Sequence, residues 1–165
     1  MRELKVEELS LEAFTPFGQY ANMINPNALK RGAPPIEFYR DMVPLNLGGA
    51  HLASFSVCRV EKRPAVIDVS EYHAATGEGI LPLDNDVIIH VGPATKPDEL
   101  PLEQFRAFRV PKGTFVALKP GVWHHAPIVA NGDYANVLIV LPERAYANDC
   151  GVVRFQDDQK MKVLQ

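Results

Sequence analysis

The sequence predicts an all-β protein, and three observations carry that prediction. Fourteen prolines and eleven glycines are scattered through the 165 residues, cutting the chain into short segments. Between the cuts lie apolar runs of strand length rather than long stretches of helical period. Turn-forming clusters separate them: Asp84-Asn85-Asp86, Gly92-Pro93, Pro111-Lys112-Gly113, Pro120-Gly121 and Asn131-Gly132-Asp133. Many short strands joined by turns make a sandwich or a barrel, and the pattern alone does not choose between the two.

Taken in order, residues 1–45, with Pro26, Pro34-Pro35 and Pro44, read as an N-terminal arm or a set of edge strands packed on the body. Within them, Ser10-Leu11-Glu12-Ala13-Phe14 reads as one helical turn capped by Ser10. Strands are expected at 51–60, 65–72, 79–82, 87–91, 106–110, 114–118 and 135–141, with a weaker one at 152–155. A second helical turn is expected at 102–105, and Asn131-Gly132 is the strongest hairpin cue. There is no internal repeat. A length of 165 residues suits a single domain over 1–165, and a 47% hydrophobic content is enough to fill its core.

Composition excludes several classes. A formal net charge of −3 without a Lys/Arg cluster argues against nucleic acid as partner. No apolar run is long enough to span a membrane. Met1-Arg2-Glu3-Leu4-Lys5 runs into acidic residues instead of an apolar leader, so a cytoplasmic protein is expected. Cys58 and Cys150 lack metal-site spacing and read as reduced thiols, with Cys58 in a strand.

Two segments carry the chemistry. In Glu71-Tyr72-His73-Ala74-Ala75-Thr76-Gly77-Glu78, residues 71 and 73 share a strand face, and Glu78 returns beside them after the Thr76-Gly77 turn. The second segment, residues 113–125, ends a strand, turns at Pro120-Gly121 and delivers Val122-Trp123-His124-His125. Adjacent residues of an extended chain face opposite ways. The register turns His124 inward and leaves His125 at the rim or a dimer interface. Glu71, His73, Glu78 and His124 would form a mixed nitrogen and oxygen set suited to Mn, Fe, Ni or Zn. The plainer alternative is a barrel whose polar residues line a pocket and hold no metal.

These spacings resemble the paired motifs of cupins, G-x5-H-x-H-x3,4-E-x6-G and G-x5-P-x-G-x2-H-x3-N. Glu71 stands at the first His, His73 at the second, Glu78 at the Glu and Asn85 at the closing Gly, where Asn tolerates the left-handed conformation. Gly113, Gly121 and His124 match the second motif, whereas Lys119 replaces its Pro and Ile128 its Asn. More specifically, residues 4–155 resemble the ureidoglycolate lyases, also called ureidoglycolate hydrolases. The resemblance rests on Phe38-Tyr39-Arg40-Asp41, the strand ending at Arg59, Glu71-Tyr72-His73 with Thr76 and Pro82, Pro97-Asp98 through Phe105-Arg106-Ala107-Phe108, Val122-Trp123-His124-His125, and Asn148-Asp149-Cys150. It implies a cupin-like β-barrel (a double-stranded β-helix, or jelly roll) and a homodimer. The implied reaction splits ureidoglycolate into glyoxylate and urea in allantoin and purine catabolism. This chain departs from the pattern in carrying Lys119 where a His often stands and Gly151-Val152-Val153 after Cys150.

Ureidoglycolate is a carbinolamine, so cleaving its C–N bond needs a base for the hydroxyl proton and an acid for the departing urea. Glu71, His73, His124 and Lys119 are the catalytic candidates on this reading. The substrate carboxylate needs a cation, and Arg59 is the first choice with its planar fork, ahead of Lys119. Residues 51, 53, 55, 57 and 59 share a face that could turn into the barrel. Trp123 is expected to pack at the barrel end and is the other candidate for substrate binding. His90 reads as a strand histidine without chemistry. Two alternatives stay open: another metal-dependent cupin lyase or isomerase acting on a small hydroxy acid or sugar, and a non-catalytic cupin that binds a small molecule. Release of glyoxylate and urea from ureidoglycolate separates the first from the family reaction. Tight retention of a ligand without turnover marks the second.

Overall fold

The computed structural model describes residues 1–97 and 99–165, so Asp98 lies outside the described residues. The protein is built almost wholly of strands: β1 (Arg2–Glu8), β2 (Gly18–Asn22), β3 (Lys30–Ala33), β4 (Ile36–Tyr39), β5 (Ala53–Glu61), β6 (Val66–Ile67), β7 (Val69–Tyr72) and β8 (Gly79–Pro82). They continue as β9 (Val87–Val91), β10 (Arg106–Val110), β11 (Thr114–Leu118), β12 (Ile128–Val129), β13 (Tyr134–Pro142), β14 (Gly151–Arg154) and β15 (Met161–Leu164). Two short helices, α1 (Leu11–Phe14) and α2 (Ala145–Asn148), complete it. Among the described residues no helix is long and apolar enough to cross a membrane.

A six-stranded sheet runs β12-β9-β10-β1-β15-β6 and a five-stranded sheet runs β2-β11-β8-β13-β5. Their facing sides close on one core, with Ile80, Val116, Val137 and Ile139 from the second sheet meeting Val87, Ile89, Phe108 and Val110 from the first. The result is an all-β fold of two sheets curled around one core, the architecture that the resemblance implies. The chain crosses between sheets repeatedly, which is why the turn cues misled in one place. Gly132 takes the left-handed conformation (φ 81°), as an Asn-Gly turn requires. However, it links β12 to β13, which lie in different sheets, so it is a corner and not a hairpin. Asn131 instead accepts the Asp86 amide through Oδ1 (2.9 Å).

The N-terminal region divides. β3 and β4 form an isolated antiparallel hairpin and leave Ile36 and Phe38 exposed, and β2 is a sheet edge. β1, in contrast, is no edge strand. It pairs in parallel with both β10 and β15 inside the six-stranded sheet. Ser10 caps α1 as expected, its Oγ accepting the Ala13 amide at 3.2 Å. The second expected helix is absent, because residues 100–104 form successive tight turns in which Leu102 and Gln104 donate to the Leu100 and Pro101 carbonyls. Asn85 also departs from expectation. Among the described non-glycine residues only Asp41 and Arg144 have positive φ, and Asn85 acts instead through its side chain, donating to the Tyr134 carbonyl (2.8 Å).

A second apolar cluster lies on the other face of the six-stranded sheet, where Trp123, Phe105, Ile128, Phe155, Met161 and Val163 cover the outward residues of β9 and β10. All five residues of β9 are therefore buried. His90 sits there, fully buried, its Nε2 3.2 Å from Ser70 Oγ. Burial first, then the charges of His124 and His125, push its pKa down to about 3, so it is neutral.

Candidate metal centre and active site

β7 and the His124 segment form a one-pair antiparallel bridge. The Glu71 amide donates to the His124 carbonyl (2.6 Å) and the His124 amide returns the bond (2.8 Å). Residues paired this way carry their side chains on the same face, so Glu71 and His124 lie side by side. Their sequence neighbours, Tyr72 and Trp123, lie together on the opposite face with ring centroids 4.5 Å apart. His73 follows the end of β7, and Glu78 immediately precedes β8. The turn before His124 is anchored by Gly121 (φ 80°), whose amide donates to the His73 carbonyl at 2.7 Å.

The four side chains converge. Ligand atoms of Glu71, His73 and His124 all lie within 4.8 Å of one another. The Oε2 atom of Glu78 sits 3.1 Å from His73 Nε2 and 3.0 Å from His124 Nε2. Three of the four are nearly sealed from solvent: His73 is 1% exposed, His124 3% and Glu78 5%. Burial alone would raise the Glu78 carboxyl. The His124 and His73 rings outweigh it and hold the group down at about 2. Burial likewise opposes charge on His124, but Glu78 overcomes it and raises the imidazole to about 9.

Each imidazole is fixed through its other nitrogen. His124 Nδ1 donates to the Val122 carbonyl (2.8 Å), and His73 Nδ1 to the Asp149 carbonyl. Both Nε2 atoms are thereby aimed at the Glu78 carboxylate. This is the tautomer that a metal-ligating histidine needs, set by a backbone acceptor, so the donor set fits a divalent ion. Glu71, only half-buried, is the member nearest solvent.

Three of the sequence candidates do not join this cluster. Lys119 is exposed and its Nζ donates to the Thr15 carbonyl (2.6 Å) at the end of α1, so its charge is spent outside the cluster. Arg59 is exposed on the outer face of β5, stacked 4.0 Å over the Tyr134 ring with Nη1 3.4 Å from Asn136 Oδ1. The face it shares with Ala53, Phe55 and Val57 is the outer one, and His51 is exposed as well. Cys58 and Val60 are the residues of β5 that pack inward. Trp123 is 1% exposed within the second core cluster, its Nε1 donating to Thr95 Oγ1 (2.7 Å). The bridge that turns His124 inward turns Trp123 away. His125 is half-buried on the side of Arg63, Asp68 and His90.

The structure adds residues that the sequence left without a role. The Asp149 carboxylate accepts the Ala74 and Ala75 amides (2.7 and 3.0 Å). Cys150 Sγ donates to Glu71 Oε2 at 3.5 Å. Tyr146 sets its ring edge-on to His73, centroids 5.9 Å apart. Asn148-Asp149-Cys150 stood out only through resemblance, and no spacing linked it to residues some 75 positions away.

Comparison with known proteins places the chain as a whole. The Ureidoglycolate lyase family profile matches residues 1–163. A ureidoglycolate lyase of Rhodobacter capsulatus is 33% identical over 141 residues, covering 83% of this chain and 86% of that protein. Another from Azotobacter vinelandii is 29% identical over 173 residues, covering 98% and 97%. Among solved structures, a Bacillus subtilis oxalate decarboxylase mutant aligns with a TM-score of 0.44 and 16% identity over 62% of this chain, which spans 23% of that longer chain. A profile match over nearly the whole length, with a relative at this identity, places the chain in the ureidoglycolate lyase family.

Proposed function

We propose that this protein is a lyase that cleaves the C–N bond of ureidoglycolate to give glyoxylate and urea, serving allantoin breakdown in the cytoplasm. The observation that carries the reading is the convergence of two imidazoles and two carboxylates, half-open to solvent at Glu71, in a chain of this family. The two free cysteines suit a reducing compartment.

Glu71, His73, Glu78 and His124 would hold a divalent ion, of the class Mn, Fe, Ni or Zn. Bound there, it would supply a Lewis acid that lowers the pKa of the substrate hydroxyl. The chain's own groups do the rest. Glu71, at the open side, takes the hydroxyl proton on a carboxylate oxygen, and the Cys150 thiol steadies that carboxylate. The Nδ1 bonds keep both histidine rings in one orientation through the cycle. The burial of His73, Glu78 and His124 keeps water away from those three side chains. Purified protein, loaded in turn with each of the four ions, should release glyoxylate and urea in equal amounts. Failure with every ion sinks the proposal.

The same reading makes the protein a homodimer. Phe55 and Val57 lie 69% and 61% exposed on the outer face of β5, and the β3–β4 hairpin presents Phe38. Apolar surface of this kind is usually covered by a partner. Light scattering at micromolar concentration should give twice the chain mass, and Phe55→Glu with Val57→Glu should shift it to the monomer mass. A monomeric wild type counts against this assembly.

A further inference from the structure

We propose that Tyr146 is a catalytic residue whose phenol O–H donates a hydrogen bond to the ureido carbonyl oxygen of the substrate. This rests on the ureidoglycolate reading above.

The segment carrying Tyr146 is fastened at successive points to β7 and to the turn that follows it. The Asp149 carboxylate holds the Ala74 and Ala75 amides, the Asp149 carbonyl takes the His73 Nδ1 proton, and Cys150 reaches Glu71. Gly151 then pairs with Tyr72, so closely that a Cβ there would fall 2.4 Å from the Tyr72 ring. At the other end Arg144 enters α2 in the left-handed conformation (φ 62°) with no side-chain cap. A non-glycine residue held there is strained, and such strain persists where the surroundings impose it, commonly beside functional sites. The four-residue turn between these anchors sets the Tyr146 ring against His73.

There the ring forms the border between the centre and solvent. Its edge meets His73, which is 1% exposed, while Tyr146 itself is 59% exposed. Among the described residues nothing hydrogen-bonds its phenol. A phenol with no partner keeps its O–H free to donate.

The reaction creates an acceptor for that donor. The hydroxyl proton passes to Glu71, and the electron pair of that O–H bond becomes the second C–O bond of glyoxylate. The C–N pair leaves with the ureido group, whose nitrogen takes that proton back from Glu71 to give urea, returning the carboxylate to its starting state. While that pair departs, negative charge spreads onto the ureido carbonyl oxygen, and a positioned donor stabilises it there. Tyr146 is not consumed.

Tyr146→Phe in the full-length, ion-loaded protein tests this. It keeps the ring on His73 and removes only the hydroxyl. Loss of one such hydrogen bond should lower kcat/KM for ureidoglycolate about 10- to 100-fold. Inhibition by urea should weaken in the variant, whereas inhibition by glyoxylate and the bound-ion content should stay as in wild type. Unchanged kcat/KM in the variant overturns the assignment. So does a parallel loss of glyoxylate inhibition or bound ion, which would make Tyr146 a packing residue for His73. A wild type that releases no urea overturns the proposed reaction, and this inference with it.

Discussion

His124→Ala is expected to lower kcat by about 10²–10⁴-fold, the range for removing one group that handles charge during bond breaking. His125→Ala, one residue along, should leave turnover near wild type. The contrast follows from the Glu71–His124 bridge, which fixes the two adjacent side chains on opposite faces. His124 Nε2 meets Glu78 at 3.0 Å in the sealed centre, whereas His125 faces Arg63 and Asp68. KM should change less than kcat for His124→Ala, because an ion held by the imidazole would act on charge that develops only as the bond breaks. The alanine also strips a buried carboxylate of one partner, and breaking such a pair costs about 3–5 kcal/mol. His124→Gln, which keeps a polar side chain, guards against mistaking unfolding for lost chemistry, and a melting curve on each variant separates the two. A folded His125→Ala that is slower than a folded His124→Gln would show that the facing is reversed.

Much of the fold was legible because strand length, turn residues and β-branched content agree in the middle of the chain. Gly79–Pro82, Val87–Val91, Arg106–Val110 and Thr114–Leu118 have the expected bounds. At the ends the local signal fails. β1 alternates Leu4 and Val6 with charged residues and looks like solvated arm, yet those two side chains pack on the second cluster. β15 offers only Met161, Val163 and Leu164, after a polar run. Both are strands because each completes the other's parallel pairing, a contact between opposite chain ends that no window of sequence contains.

The centre divides in the same way. A two-residue spacing placed Glu71 with His73, and the Gly turn delivered His124, so the convergence of those residues was visible in the sequence. Which face a strand turns inward was not. Arg59 suits a substrate carboxylate by its planar fork, but it shares the face of Phe55 and Val57, and β5 is an edge strand whose inner side is taken by Cys58 and Val60. Lys119 could have served as a cation from its place in the motif. Its reach to the Thr15 carbonyl depends on where α1 packs, which the motif does not record.

Glu78 should prove the residue on which the centre's stability turns. Its carboxylate is 5% exposed and bonded to both Nε2 atoms, so Glu78→Gln keeps the volume and removes the charge that holds His124 protonated. Leaving that imidazole buried without its counter-ion should cost about 3–5 kcal/mol. For a chain of this length that is a fall in Tm of roughly 6–20 °C. The ion-loading experiment then distinguishes a metal centre from a buried salt-bridge cluster, without reference to activity. An ion that binds only the native state at about 100 times its Kd stabilises by about 2.7 kcal/mol, so added divalent ion should raise the Tm of wild type by several degrees. In Glu78→Gln the rise should shrink or vanish, because one of the four ligands has lost its anionic oxygen. Identical ion-dependent shifts in the two proteins would place the ion elsewhere. A Glu78→Gln variant that melts with wild type would mean the carboxylate contributes nothing to holding His73 and His124 together.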